Sequence, residues 1–147
     1  MEGNNQMEVV VDASVVVKWF LIEEFREQAI HLRDDYIERK IELISPTILP
    51  FEVLNAIRYS SKGIKKDQLE GVGKSLLHYG IKILSFNEER LLETTEIAIE
   101  DDITIYDSAY IALAKMMQTN LYTADMQLIN KLSDANKSFV KHIGSYT

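Results

Sequence analysis

The sequence predicts an α/β protein with a central, mainly parallel sheet of four to five strands and helices on both faces. Three observations predict it. Short apolar runs of strand length alternate with longer stretches whose apolar residues recur at three- and four-residue spacings, a pattern that calls for parallel strands joined by crossover helices. The first run, Val9, Val10 and Val11, is β-branched with no polar alternation, as in a strand covered on both faces. At 147 residues, 46% hydrophobic, with only 2 Pro and 6 Gly, the chain suits one domain with a sizeable core and abundant regular structure. A single domain over residues 1–147 is expected, with the polar residues 1–7 as a flexible N-terminal tail.

The elements follow in order. After the strand at 9–11, Asp12 falls at its carboxyl end, and apolar residues continue at helical length over 14–21. Residues 24–40 place Phe25, Ala29, Leu32, Tyr36 and Ile37 at helical spacing. "IELIS" at 41–45 is a short strand ended by Pro46, and Thr47 can cap the next helix, which carries Glu52 early and has Gly63 as its stop. A helix is expected over 66–79, a strand over 81–84 and another helix from 88 to about 100. Thr104 and Asp107 have the spacing of a reciprocal cap at the start of an Ala-rich helix. A strand at 121–123 leads to Asp125, a last helix running to about Asp134, and a final strand near 140–143.

Composition narrows the function. The absence of cysteine excludes disulfides, thiolate catalysis and cysteine zinc sites. No apolar run approaches the ~18 residues of a membrane span, and "MEGNNQ" is unlike a secretory signal, so a cytoplasmic protein is expected. With 23 acidic against 16 basic residues and a net charge of -7, the chain does not coat nucleic acid by bulk charge. A nuclease is still allowed, because cations bound by converging carboxylates invert the local field. His31, His78 and His142 lack a metal-ligand spacing, "GVGKS" at 71–75 lacks the phosphate-loop spacing, and no serine sits in a nucleophile elbow.

Four acids stand at element ends. Asp12 and Asp125 follow strands, Asp107 opens a helix, and Glu52 begins the helix after the second strand. In open α/β sheets the ligand crevice lies outside the carboxyl ends of the strands. Structural readings compete: Asp12 and Asp125 as helix caps, Asp107 as a first-turn acid favourable to the helix dipole. Glu52 is harder to explain that way, because its flanks are apolar and an isolated buried carboxylate is costly. Asp101 and Asp102 read as a solvated turn; Asp34, Asp35 and Asp134 as surface charge.

These residues resemble the PIN-domain nucleases, especially VapC-type toxins of VapBC toxin–antitoxin systems, from about residue 9 to 143. "VVDASVVVKWF" is similar to the family's first acidic motif, "PFEVLNAI" to its glutamate helix, "TIYDSAYIALA" to its third motif and "LYTAD" to its fourth. The resemblance implies a PIN-like three-layer α/β/α fold and an acidic site of Asp12, Glu52, Asp107 and Asp125, supported by Ser14, Asn55 and Thr123. Some members carry a further acid after the fourth motif, where this chain has Met126, Gln127 and Leu128. It further implies an RNA substrate, a VapB-like antitoxin partner and a homodimer. Hard Mg²⁺ or Mn²⁺ suits an all-oxygen site, and would serve phosphodiester hydrolysis. Asn55, one turn from Glu52, is expected to hold a carboxylate in its rotamer. Arg58, Lys62, Lys65 and Lys66 form a basic run suited to backbone phosphates, or a solvated face; Lys18 and Lys115 are weaker candidates. Two alternatives stand beside the nuclease: an inactive PIN-fold binding module, and a phosphotransfer or receiver-type domain with Asp12 as phosphate acceptor.

Overall fold

Each short apolar segment becomes a strand, and all five strands run parallel. The computed structural model describes residues 7–60 and 64–147. In it β1 (Met7–Val11), β2 (Ile41–Pro46), β3 (Lys82–Leu84), β4 (Leu121–Thr123) and β5 (Val140–His142) stand in the order β3-β2-β1-β4-β5. Val9 and Val10 pair with Leu43 and Ile44 of β2, while Val10 and Val11 pair with Leu121 and Tyr122 of β4. β1 is therefore the central strand. Val9, Val10 and Val11 are almost wholly buried, which is why this run tolerates no polar alternation. The sheet is thus parallel throughout. Met7, expected in the tail, instead begins β1 opposite Ile41.

Eight helices flank the sheet among the described residues: α1 (Ala13–Val16), α2 (Arg26–Ile37), α3 (Leu49–Ser60), α4 (Lys66–Tyr79), α5 (Glu88–Asp101), α6 (Ile105–Met116), α7 (Met126–Lys131) and α8 (Asp134–Lys137). α6 packs across β1, β2 and β4, with α5 laid against it. Five consecutive residues of α6, from Tyr110 to Ala114, are buried, so this helix is apolar around most of its circumference. Full burial of Ile111 and of Leu113 contributes roughly 1.5–3 kcal/mol each. None of the helices in the described residues is long and apolar enough to cross a membrane.

Four expectations are corrected. The apolar stretch after Asp12 is not one helix to residue 21; α1 gives way to a 3-10 turn, Val17–Trp19. α2 starts later than the pattern, because Phe25 takes a left-handed φ of 65° that packs its ring edge-on against His142, centroids 4.7 Å apart. Gly144 is required there, since a Cβ would come within 2.9 Å of the Phe25 ring. The last predicted helix is broken at Leu132, which turns to extended backbone and is buried, and Ser133 caps a separate α8. Asn136 of α8 then donates 2.8 Å to Asp101 Oδ2. Asp101, expected in solvent, is buried by that contact; only Asp102 is exposed. The predicted stop at Gly63 lies outside the described residues.

From β1 the chain builds outward through β2 to β3, then returns to lay β4 on β1's other side. The strand order reverses between β1 and β4. That switch point is where open parallel sheets leave a crevice.

Candidate active site

The crevice is walled from four elements. A cleft of about 520 Å³ is lined by Asp12 after β1, Glu52 on α3, Asp107 on α6 and Asp125 after β4. The four acids read from the sequence therefore face one space.

Asp12 occupies the N-cap position of α1, yet its side chain makes no cap hydrogen bond. Instead Ser14 Oγ donates 2.6 Å to Asp12 Oδ1. Ser14 in turn accepts from the Ala124 N–H at 2.8 Å and lies 3.3 Å from Thr123 Oγ1, which accepts from the Asp125 N–H at 3.2 Å. One hydroxyl pair thus ties the end of β1 to the end of β4.

Asp125 does serve as a cap: its Oδ1 accepts from the Leu128 N–H at 3.0 Å, while the residue itself stays exposed. A carboxylate has lone pairs beyond that one bond, so capping and ligation are compatible. At Asp107 the predicted reciprocal cap forms in one direction, with Thr104 Oγ1 accepting from the Asp107 N–H at 3.0 Å. Its carboxylate faces the cleft.

Burial and crowding make three of these acids, Asp12, Glu52 and Asp107, reluctant to ionise. The Asp12 carboxyl is pushed up to about 6, chiefly by burial and further by Asp107, although the Ser14 and Thr123 hydroxyls pull it back. Glu52 is raised by burial and by Asp107, against a hydrogen bond from Tyr110. Asp107 is raised by burial and then by Asp125, with Thr104 and Lys131 opposing. Such a cleft holds surplus negative charge, the condition that a bound cation relieves.

Two polar groups that the sequence reading did not assign to the cleft wall, Tyr110 and Glu23, also line it, together with Lys18 and small apolar residues such as Ala56. Tyr110 follows Asp107 by three residues on α6, a same-face spacing that was legible in principle. Asn55 is exposed and does not line the cleft; Ala56 does. On a helix, the residue four on from Glu52 is rotated about 40° and the residue three on about 60° to the other side, and this helix turns the former toward the cleft. Arg58, Lys65 and Lys66 are exposed and outside the cleft wall, with Arg58 lying over the Tyr59 ring at 5.1 Å. Lys62 lies outside the described residues. Lys115 pairs with Glu93 at 3.2 Å, also away from the cleft.

The donor set is entirely oxygen: four carboxylates with hydroxyls behind them. That chemistry fits Mg²⁺ or Mn²⁺ and not a soft metal. Among the described residues no three acids are drawn together tightly enough to ligate one ion directly. Mg²⁺, which keeps several waters and uses one or two carboxylates, suits such a spacing.

The family model described as PIN domain matches residues 9–132. Ribonuclease VapC3 of Pyrobaculum aerophilum is 30% identical over 129 residues, covering 85% of this chain and 95% of that one. Among solved structures, FitAB bound to a DNA fragment superposes with a TM-score of 0.71 at 18% identity, over 95% of this chain and 97% of that one. VapBC2 from Rickettsia felis, bound to a DNA fragment from its promoter, gives 0.66 at 14% identity over 92% and 98%.

Proposed function

Because the chain belongs to the PIN-domain family, we propose that it is a metal-dependent endoribonuclease, the toxin component of a type II toxin–antitoxin pair. It hydrolyses RNA phosphodiester bonds with Mg²⁺ or Mn²⁺ held by carboxylates. The observation that carries this reading is the convergence of Asp12, Glu52, Asp107 and Asp125 from four elements on one cleft. PIN-domain nucleases of the VapC type are generally divalent-metal dependent. The ribonuclease relative supports RNA as substrate, and the VapBC and FitAB neighbours support a VapB-like antitoxin as partner. A homodimer in the cytoplasm completes the reading.

Asp12 and Asp107 are the leading ligands, with Asp125 binding directly or through water. When bound, the ion neutralises phosphate charge and lowers the pKa of a water, making hydroxide available at neutral pH. The chain's own residues set the geometry. Ser14 and Thr123 hold Asp12 in one rotamer and keep the β1 and β4 ends at a fixed separation, as outer hydrogen bonds do in metal sites. Glu52, with its elevated pKa and one oxygen held by Tyr110, serves as ligand or orients the attacking water with the other. Arg58, Lys62, Lys65 and Lys66 are assigned to backbone phosphates of RNA beyond the cleft.

The test is cleavage of end-labelled single-stranded and structured RNAs by purified protein in Mg²⁺, in EDTA, and with Asp12→Asn in place of wild type. Cutting that needs both metal and Asp12 supports the proposal. RNA that is bound yet never cut would identify a binding module instead.

A further inference from the structure

The acidic cleft has a cation built into its wall. Among the described residues lining it, Lys18 is the only positive side chain, beside the carboxylates of Asp12, Glu23, Glu52, Asp107 and Asp125. Its backbone is pinned from both sides: the Lys18 carbonyl accepts from Arg26 Nε at 3.0 Å, and neighbouring Trp19 donates Nε1 to the Ala29 carbonyl at 3.0 Å. Val17 and Trp19 are buried. The 3-10 turn therefore has one orientation, and it presents Lys18 to the cleft four residues after Ser14.

Lys18 is 7% exposed, an uncommon state for lysine. Its ammonium meets one acid, Glu23 Oε1 at 3.2 Å, and that partner's side chain is 37% exposed. An ion pair with a half-solvated partner returns little free energy, less than sequestering an ammonium costs. The pair alone is a poor reason to bury this lysine. No salt bridge joins Lys18 to Asp12, Glu52, Asp107 or Asp125, so the site acids are left for other cations. One divalent ion would still leave the wall negative, and an entering phosphate would face residual repulsion unless a fixed cation met it.

We propose that Lys18 is a substrate-binding residue: its ammonium contacts a non-bridging oxygen of an RNA backbone phosphate in the cleft, and Glu23 is its resting partner, released as the phosphate arrives. This rests on the ribonuclease reading. Glu23 belongs to the loop between the 3-10 turn and α2, so exchanging partners requires movement of one exposed side chain and not of the sheet.

The experiment measures binding of a short fluorescein-labelled single-stranded RNA by anisotropy in Ca²⁺, across a salt series, with cleavage in Mg²⁺ recorded alongside. Lys18→Met keeps the aliphatic stem and removes the charge. It should weaken binding about tenfold and flatten the log-affinity against log-salt slope by about 0.7, the loss of one contact to a single strand. Lys18→Arg should recover most of the affinity. Glu23→Gln should tighten binding when Lys18 is present and do nothing in the Lys18→Met background. Melting in EDTA checks that each variant folds. If wild type binds and cuts RNA while Lys18→Met keeps its affinity and slope, Lys18 is a structural lysine and the inference fails alone. Should Lys18→Met fail to fold, Glu23→Gln decides, and unchanged affinity there overturns it. A wild-type protein that neither binds nor cuts any RNA overturns the ribonuclease reading, and this contact with it.

Discussion

Tyr110 Oη donates a hydrogen bond of 2.6 Å to Glu52 Oε1, joining α6 to α3 at the acidic cleft. Tyr110 is 2% exposed, so its hydroxyl has no solvent alternative. Burial first, and then the carboxylate of Glu52, push its phenol well above the ordinary tyrosine range, so it remains a donor at any physiological pH. The bond favours ionised Glu52 and leaves its second oxygen to act in the cleft.

Tyr110→Phe keeps the packing and deletes that donor. Glu52 should become harder to ionise, and Mn²⁺ affinity measured by calorimetry should fall about 10- to 100-fold, the usual range for losing an outer-shell partner. The fold should lose about 1–3 kcal/mol, read by urea melts. Wild-type metal affinity in Tyr110→Phe would show that the bond is structural only.

Asp12→Asn, Glu52→Gln, Asp107→Asn and Asp125→Asn should each remove most RNA cleavage, because each takes charge from one shared cleft. Asp134→Asn, on exposed α8, should leave it near normal. Initial rates on one labelled RNA make the comparison; wild-type rates in two or more of the four would break the assignment.

The apo protein should respond to pH through Asp12. Burial pushes its carboxyl up to about 6 in the folded state, above the ordinary aspartate value of roughly 4, so between these values the folded state binds more protons than the unfolded one. Stability therefore falls as pH rises from about 4 to 6 and stays low above, by on the order of 3 kcal/mol. Glu52 and Asp107 are shifted the same way and add to it. In EDTA, Asp12→Asn should be more stable than wild type at pH 8, and the advantage should shrink toward pH 4. Urea melts across roughly pH 4.5 to 8 check this. A pH-independent difference would contradict the buried-carboxylate account.

Metal should reverse the penalty. At ~100 times its dissociation constant, Mn²⁺ should stabilise wild type by roughly 2.7 kcal/mol, a melting shift of several degrees. Asp12→Asn and Asp107→Asn should respond much less. Asp125→Asn should barely change the apo melting temperature, since Asn caps a helix as well as Asp does, while still weakening the metal response. An equal Mn²⁺ shift in all four proteins, or none in wild type at millimolar Mn²⁺, would exclude a carboxylate metal site.

Much of this arrangement was legible in the one-dimensional pattern. Strands buried on both faces must be continuously apolar, so Val9, Val10 and Val11 announced the central strand. The carboxylates stood out because charge at the ends of apolar runs is costly without a use. Elsewhere local pattern and tertiary contact disagreed. Periodicity carried the last helix past Leu132, which leaves the helix to bury itself. Asp101 looked like solvent charge until Asn136 reached it from a segment 35 residues away. Helical spacing from Glu52 nominated Asn55, whereas the rotation of α3 in the packed structure puts Ala56, also exposed, on the cleft wall.

The sequence by itself determined the α/β class, the order of the strands and the placing of four acids at element ends, because each depends on periodicity and on charge at local boundaries. Only the tertiary structure decided which groups support and oppose those acids. The Ser14 hydroxyl meets Thr123 109 residues away, and Tyr110 reaches Glu52 across 58. Lys18, between valine and tryptophan, read only as one of two weaker candidates for a phosphate contact. Its place in the cleft wall depends on a 3-10 turn and on Arg26 holding its carbonyl. Packing brings such groups within hydrogen-bonding distance, and no local pattern in the chain encodes which distant partner each will meet.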